Sequence, residues 1–342
     1  MSTPRSLEMP RRVRSGTIVT GRGRFAVLQA QPGHGVCERR PALLIPGYTG
    51  SKEDFLPVLE PLAAAGRTVV AMDLRGQYQS PHAPGADGYA PGELAADVLS
   101  VAAALGEPGG GVAGSPGMHL VGHSMGGLIA RHAALTRAGQ LLSLALLGTG
   151  PGAIAGQRAA ALRDLLQVLD PEPPGGQPGT GAAAGGQRGT DVKIARPAGR
   201  LQEIIGQIWR ERLEPQARSE GTDEKIIAFL RERTHRTCPQ GLIVMARYLL
   251  SCPDRTEELA VLARPPGRGQ AAELPVLVMY GENDDAWPPA LQDRMARRLH
   301  AERACIPGAA HSPAIEAPET TARALTTFWN AAERRPAARS PV

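Results

Sequence analysis

Near the middle of the chain a serine stands among glycines, in the run Gly122, His123, Ser124, Met125, Gly126, Gly127. The apolar stretch 118–121 before it reads as a strand and 128–135 after it as a buried helix, so Ser124 falls on a sharp strand-to-helix turn. Strand and helix backbones approach closely at such a turn, which requires small residues two before and two after the serine; Gly122 and Gly126 meet that need. The serine oxygen then projects from the C-terminal edge of a sheet, placed to attack a carbonyl.

A serine hydroxyl is a weak nucleophile at its own pKa and needs a base within hydrogen-bond reach. Of eight histidines, His34, His82 and His235 fall in loops or in the helical middle of the chain, His119 and His123 in the strand and turn, and His132 and His300 in helices. His311 differs: it follows the short apolar run 304–306 and lies in a small-residue loop, 308–313, ahead of the last helix. The base in turn needs an acid that holds its tautomer and stabilises the imidazolium. Residues 281–288, Gly-Glu-Asn-Asp-Asp-Ala-Trp-Pro, follow a long apolar run and offer Asp284, with Asp285 as the alternative. Serine, acid and histidine then occur in the order used by one sheet-edge architecture. A developing oxyanion calls for two backbone N–H donors. Met125, just after the serine, supplies one, and the glycine-rich loop 45–51 supplies the other, assigned to Tyr48.

Short apolar runs bounded by glycine and proline must position these groups: 25–30, 42–45, 68–72, 118–121, 144–147 and 274–280. Most are followed by a segment of helical period, including 95–105, 128–135 and a terminal amphipathic stretch 318–330, which is the pattern of βα units in a mostly parallel sheet. After Gly148 the strand pattern stops until about Leu274, and apolar stripes at helical spacing replace it. The expected organisation is a doubly wound α/β core over 16–150 and 272–334, with an inserted helical cap over 151–271. Within the cap, 171–199 is rich in Gly, Pro, Ala and Gln with almost no large apolar side chain, and reads as a low-complexity, disordered loop. Residues 1–15 read as a frayed basic N-terminus and 335–342 as a tail.

At 342 residues with 42% apolar and 21% charged content, the chain has ordinary globular usage, and no stretch approaches the roughly 20 apolar residues of a membrane span. The net charge of +5 is spread as arginine without basic runs interleaved with aromatics, which argues against a nucleic-acid partner. The N-terminus lacks an apolar signal core, so a cytoplasmic location is expected. Cys37, Cys238, Cys252 and Cys305 form no metal-type pair and read as free thiols, with Cys305, close to His311, weighed as a catalytic thiol and assigned to buried strand packing.

Taken together, Pro46-Gly-Tyr-Thr-Gly-Ser at 46–51, Asp-Leu-Arg-Gly at 73–76, the glycine–serine turn at 122–127, Gly-Glu-Asn-Asp at 281–284 and His-Ser-Pro-Ala-Ile-Glu at 311–316 resemble the α/β-hydrolase superfamily in its capped form. The resemblance frames nearly all of 16–332 outside the cap. It implies a serine hydrolase acting on a small acyl substrate, by default a carboxylic ester, or a thioester or lactone, with no metal or organic cofactor. The same residues serve acyltransferases, perhydrolases and carbon–carbon bond hydrolases of this fold, and receptor-like relatives use the pocket for binding alone. Two departures are visible. Pro46-Gly47 stands where many relatives have His-Gly, and Gln77-Tyr78-Gln79-Ser80 replaces the usual continuation to Gly-x-Ser, so that Tyr78 either alters the loop, reaches toward the pocket, or is a bulkier surface residue. Arg75 is read as structural.

Overall fold

In the computed structural model, residues 2–33, 39–106, 117–171, 196–263 and 274–334 are described. Eight strands form one sheet: β1 (Val13–Thr20), β2 (Gly23–Ala30), β3 (Arg39–Ile45), β4 (Arg67–Met72), β5 (Met118–His123), β6 (Leu141–Leu147), β7 (Val276–Gly281) and β8 (Glu302–Ile306), in the order β1-β2-β4-β3-β5-β6-β7-β8. β1 and β2 run antiparallel to their neighbours and the rest are parallel. The helices are α1 (Leu56–Ala64), α2 (Pro91–Gly106), α3 (Met125–Arg137), α4 (Gly156–Leu169), α5 (Ala198–Ile208), α6 (Glu214–Ser219), α7 (Glu224–Arg236), α8 (Pro239–Ser251), α9 (Thr256–Ala263), α10 (Pro289–Leu299), α11 (Pro313–Glu316) and α12 (Pro318–Arg334). The expected mostly parallel doubly wound sheet with an inserted helical region is the fold observed.

Alternation along the central strands explains the two layers. Leu43, Ile45, Val70, Met72, Leu120, Leu144 and Val278 face one side and are covered by α2, α3, α9 and α10. Ala42, Leu44, Val69, Ala71, Val121, Ala145 and Leu277 face the other, under α1 and α12. Because both faces are covered, these strands read as continuous apolar runs.

Three expectations change. The N-terminal segment contains β1 from Val13, and ahead of it Pro4 is buried while the Ser2 carbonyl accepts from Arg233 Nη2 at 2.6 Å. β1 is an edge strand whose residues are mostly exposed, so it carries no apolar run to announce it. Cys305 is exposed rather than buried, because β8 is the opposite edge of the sheet and Cys305 lies on its open side. α9, assigned to the cap, packs on α3 and α10 of the core. The stretch read as a low-complexity loop falls mostly outside the described residues, and α5 begins before its expected end, at Ala198. The tail at 335–342 and Cys37 also lie outside them. No helix of the described residues is long and apolar enough to cross a membrane.

α12 is anchored by charge as well as packing. Buried Arg67 donates to Glu333 at 2.7 Å and to Asn330 at 2.7 Å and lies over the Trp329 ring, while buried His119 also stacks on that indole, with centroids 5.3 Å apart, and meets Glu333 at 3.0 Å. Burial holds the His119 imidazole down at about 4. Burial opposes ionisation of Glu333, but hydrogen bonds from His119 and Arg67 outweigh it and bring the carboxyl to about 2. Both shifts have the same sign in stability: the folded state binds fewer protons than the unfolded chain. The contribution of Glu333 is complete above its ordinary 4.5 and is lost as pH falls toward 2; that of His119 is lost as pH falls from 6.5 toward 4. Urea midpoints should therefore drop on acidification, and Glu333→Gln should flatten the lower part of that drop. An unchanged slope would remove Glu333 from the acid response.

Candidate active site

The glycines of the turn are required by backbone contact. A Cβ on Gly122 would collide with the carbonyl of Gly126, and one on Gly126 with the carbonyls of Pro46 and Ile45. Between them Ser124 sits at φ 55°, ψ −121°, a conformation that costs a non-glycine residue roughly 1–3 kcal/mol. It is held there by the Ser124 N–H donating to Leu147 O at 2.9 Å and by Thr149 Oγ1 donating to Ser124 O at 3.0 Å.

This geometry brings Ser124 Oγ to 3.0 Å from His311 Nε2, and His311 Nδ1 lies 3.0 Å from Asp284 Oδ1. Nδ1 therefore donates to the carboxylate, which leaves Nε2 as the acceptor facing the serine. The His311 loop is bracketed by Glu316, whose carboxylate accepts from the Ala310 N–H and from the Ser312 N–H at 3.2 Å.

Asp284 both caps its own turn and faces the histidine. Its Oδ1 accepts from the Ala286 N–H at 2.9 Å, and its Oδ2 from Gln292 Nε2 at 2.8 Å. Burial works against ionisation here, but the hydrogen bond and charge of His311, with the Ala286 and Gln292 donors, hold the carboxyl below the usual carboxylate range. Asp285 turns the other way. Its side chain is 63% exposed and accepts from Nη2 and Nε of Arg158 from α4, at 2.6 and 3.0 Å. Of the two sequence candidates, Asp284 is the one that reaches His311.

Two partners of this cluster have no signature in the sequence. Gln292, on α10, meets Asp284 only through tertiary packing. His123, expected in the strand and turn, is buried there, and its Nε2 donates to the His311 carbonyl at 2.8 Å, tying the histidine loop to the turn. Burial, with the neighbouring His311, pushes the His123 imidazole down to about 3, so it stays neutral and keeps its donor.

For the oxyanion donors, Met125 is the first residue of α3, and the first bonds of that turn run from the Gly127 and Leu128 N–H groups to Ser124 O, so its own N–H precedes the ladder. Gly47 packs directly on Ser124: a Cβ there would lie 3.0 Å from Ser124 Cβ. The Tyr48 ring points away into the cap, its hydroxyl donating to Leu242 O at 3.2 Å, and burial raises its pKa further. Ser124 and His311 are each 8% exposed beneath this cap. Among the described residues no group of three or more His, Cys, Asp or Glu is placed to hold a metal. Arg75 pairs with buried Asp97 at 2.6 and 2.8 Å and makes no bond to Ser124, His311 or Asp284.

The cap is fastened to the core by a buried ion pair, Arg233 of α7 with Asp54 at 2.9 Å. Burial pushes Asp54 up to about 6 against the pull of Arg233. Removing one member of such a pair strands the other charge, so Arg233→Met should cost about 3–5 kcal/mol in urea denaturation, and adding Asp54→Leu should recover most of it. A single-variant loss under about 1 kcal/mol would show that the pair is hydrated rather than dry.

The sequence profile of the Alpha/beta hydrolase family matches residues 42–324. Over 140 residues the chain is 37% identical to RutD of Variovorax paradoxus, a protein named for carbamate hydrolysis; the match takes in 40% of this chain and 49% of that protein, about half its length. Among solved structures, a thermophilic esterase from Thermogutta terrifontis superposes with a TM-score of 0.62 at 22% identity, over 93% of this chain and 99% of that one. The enol-lactonase of Burkholderia xenovorans gives 0.60 at 17% identity, over 92% and 100%. At these identities the structural likeness is one of fold. The profile match is different in kind: it runs from β3 to α12, through every core element that carries the serine, the acid and the histidine, and this chain belongs to the alpha/beta hydrolase family.

Proposed function

We propose that this protein hydrolyses a small carboxylic ester, thioester or lactone through an acyl-enzyme on Ser124. The observation that carries the reading is the line of hydrogen bonds from Ser124 Oγ to His311 Nε2 and from His311 Nδ1 to Asp284, each 3.0 Å. In the first half, Ser124 Oγ forms a bond to the carbonyl carbon as its proton passes to His311 Nε2. The carbonyl oxygen becomes an oxyanion between the Met125 and Tyr48 N–H groups. Collapse breaks the bond to the leaving oxygen or sulfur, which takes the proton from His311. In the second half, water replaces the leaving group: His311 takes its proton, the acyl carbon is released as carboxylic acid, and Ser124 regains its hydrogen. Asp284 stays ionised and stabilises the imidazolium in both halves. The carbamate named for the Variovorax relative presents a carbonyl of the same tetrahedral chemistry, and belongs in the panel of substrates.

The test is labelling of the intact protein with a fluorophosphonate probe, read by mass, beside turnover of nitrophenyl acetate, butyrate and octanoate, a phenyl thioester, a lactone and a phenyl carbamate. One label per chain, mapped to Ser124, together with turnover of an oxygen or sulfur ester is expected. Labelling without turnover of any of them would replace hydrolysis with transfer to another acceptor or carbon–carbon cleavage. Absence of labelling, with tight binding of a small apolar ligand, would favour a receptor.

A further inference from the structure

The loop after β4 contains a buried side chain that the acyl-transfer chemistry above has not used. Gln77 is 0% exposed, and its Nε2 donates to the Gly47 carbonyl at 2.9 Å. That carbonyl and the Tyr48 N–H belong to one planar trans peptide, so they point in opposite directions. Holding the Gly47 oxygen toward Gln77 therefore holds the Tyr48 N–H away from it. The Gly50 N–H, at 3.1 Å from the same oxygen, strengthens the hold. Gly47 packs on Ser124 Cβ and near His123, so the peptide whose rotation is fixed is the one that borders the nucleophile.

Gln77 is itself tied down by its neighbours' bonds to the cap. The Cys238 N–H donates to Gly76 O at 2.7 Å, and the Tyr78 N–H donates to Thr237 Oγ1 at 3.2 Å, so both sides of Gln77 are fastened to the junction between α7 and α8. Tyr78 is held at φ 36°, where glycine would be unstrained, with its ring edge-on to Phe229 of α7 at 5.5 Å and beneath Lys52. The departure from the usual glycine at this position is thus a cap-docking residue. At the other end of the Gln77 amide, Oε1 is buried without a hydrogen-bond partner among the described residues. A buried, half-satisfied amide is a poor choice for stability alone, and an apolar side chain of the same length would pack there without that cost.

We propose that Gln77 is a positioning residue for the oxyanion donor Tyr48, and that the Thr237–Cys238 junction of the cap, by fixing Gln77, makes cap docking part of the oxyanion site. This rests on the acyl-enzyme reading, and Ser124→Ala is measured beside it to keep the two apart.

The experiment compares full-length wild type, Gln77→Met and Thr237→Val with the nitrophenyl ester turned over fastest. It reads kcat, KM, melting temperature and inhibition by a trifluoromethyl ketone, which forms a tetrahedral adduct with an active serine. Loss of a whole oxyanion donor costs about 100- to 1,000-fold, so misaiming one in Gln77→Met should lower kcat by about 10- to 100-fold, with KM within about threefold. Ketone affinity should fall by the same factor as kcat, and melting temperature should hold or rise. Thr237→Val, which loosens the same loop from the cap side, should lower kcat and ketone affinity together by roughly 3- to 10-fold. If Gln77→Met fails to fold, the Thr237→Val result decides. Wild-type kcat and ketone affinity in the folded variants, with Ser124→Ala inactive, overturn the role of Gln77 and leave the acyl-enzyme standing. Turnover that persists in Ser124→Ala overturns the acyl-enzyme reading itself.

Discussion

Ser124→Ala is expected to lower kcat for the preferred ester by about 10,000- to 1,000,000-fold and to abolish fluorophosphonate labelling, with little change in stability. The size of the effect follows from the arrangement. Oγ has His311 Nε2 as its hydrogen-bond partner, and its removal leaves the base with nothing to deprotonate at 3.0 Å. The backbone at φ 55° is held by the Ser124 N–H and carbonyl bonds to Leu147 and Thr149, which alanine keeps, and alanine has the same Cβ. Residual rate would come from the oxyanion donors acting on bound ester with water. Intact mass and steady-state kinetics on the same preparation check it; a labelled or active Ser124→Ala protein would place the nucleophile elsewhere.

Asp284→Asn should lower kcat by about 10,000-fold with KM little changed, while Asp285→Asn should stay within about threefold of wild type. The difference is one of hydrogen-bond accounting. Asp284 is an acceptor in every direction: Oδ1 takes His311 Nδ1 and the Ala286 N–H, and Oδ2 takes Gln292 Nε2. An asparagine must put its NH₂ in one of those places. Toward His311 it would meet a donor, drive the proton of the imidazole to Nε2, and leave Ser124 without a base. Toward Gln292 it would set donor against donor in a buried space, and the imidazolium would still lack its counter-charge. Asp285, exposed and paired with Arg158, has no such place in the line. The bonds that hold Asp284 below the usual carboxylate range come from His311, Ala286 and Gln292, and Asp285→Asn removes none of them. A near-wild-type Asp284→Asn enzyme would mean that His311 is oriented by its backbone ties alone.

The parts of this molecule that could be read from the chain share a physical cause. A strand buried on both faces is apolar along most of its length, so the central strands stand out as runs, and β1, exposed at the sheet edge, does not. A serine on a turn where two backbones nearly touch must have glycine on either side, so the turn is visible from residue types alone. The same local logic misplaced Cys305, since an apolar run does not say whether its strand has a neighbour on both sides.

Sequence by itself singled out Ser124, an acid near 284 and His311 in that order: the first two follow strands whose apolar composition is set by burial, and His311 follows a short edge strand in a small-residue loop ahead of the last helix. Tertiary structure alone decided which of two adjacent aspartates faces the histidine, and that His123 and Gln292 hold the line in place. It also decided that Gln77 reaches the Gly47 carbonyl beneath a cap fastened at Thr237 and Cys238. Those contacts join residues from eight to 188 positions apart through single hydrogen bonds, which leave no period or spacing in the chain. They exist only once the sheet has brought its C-terminal edges together.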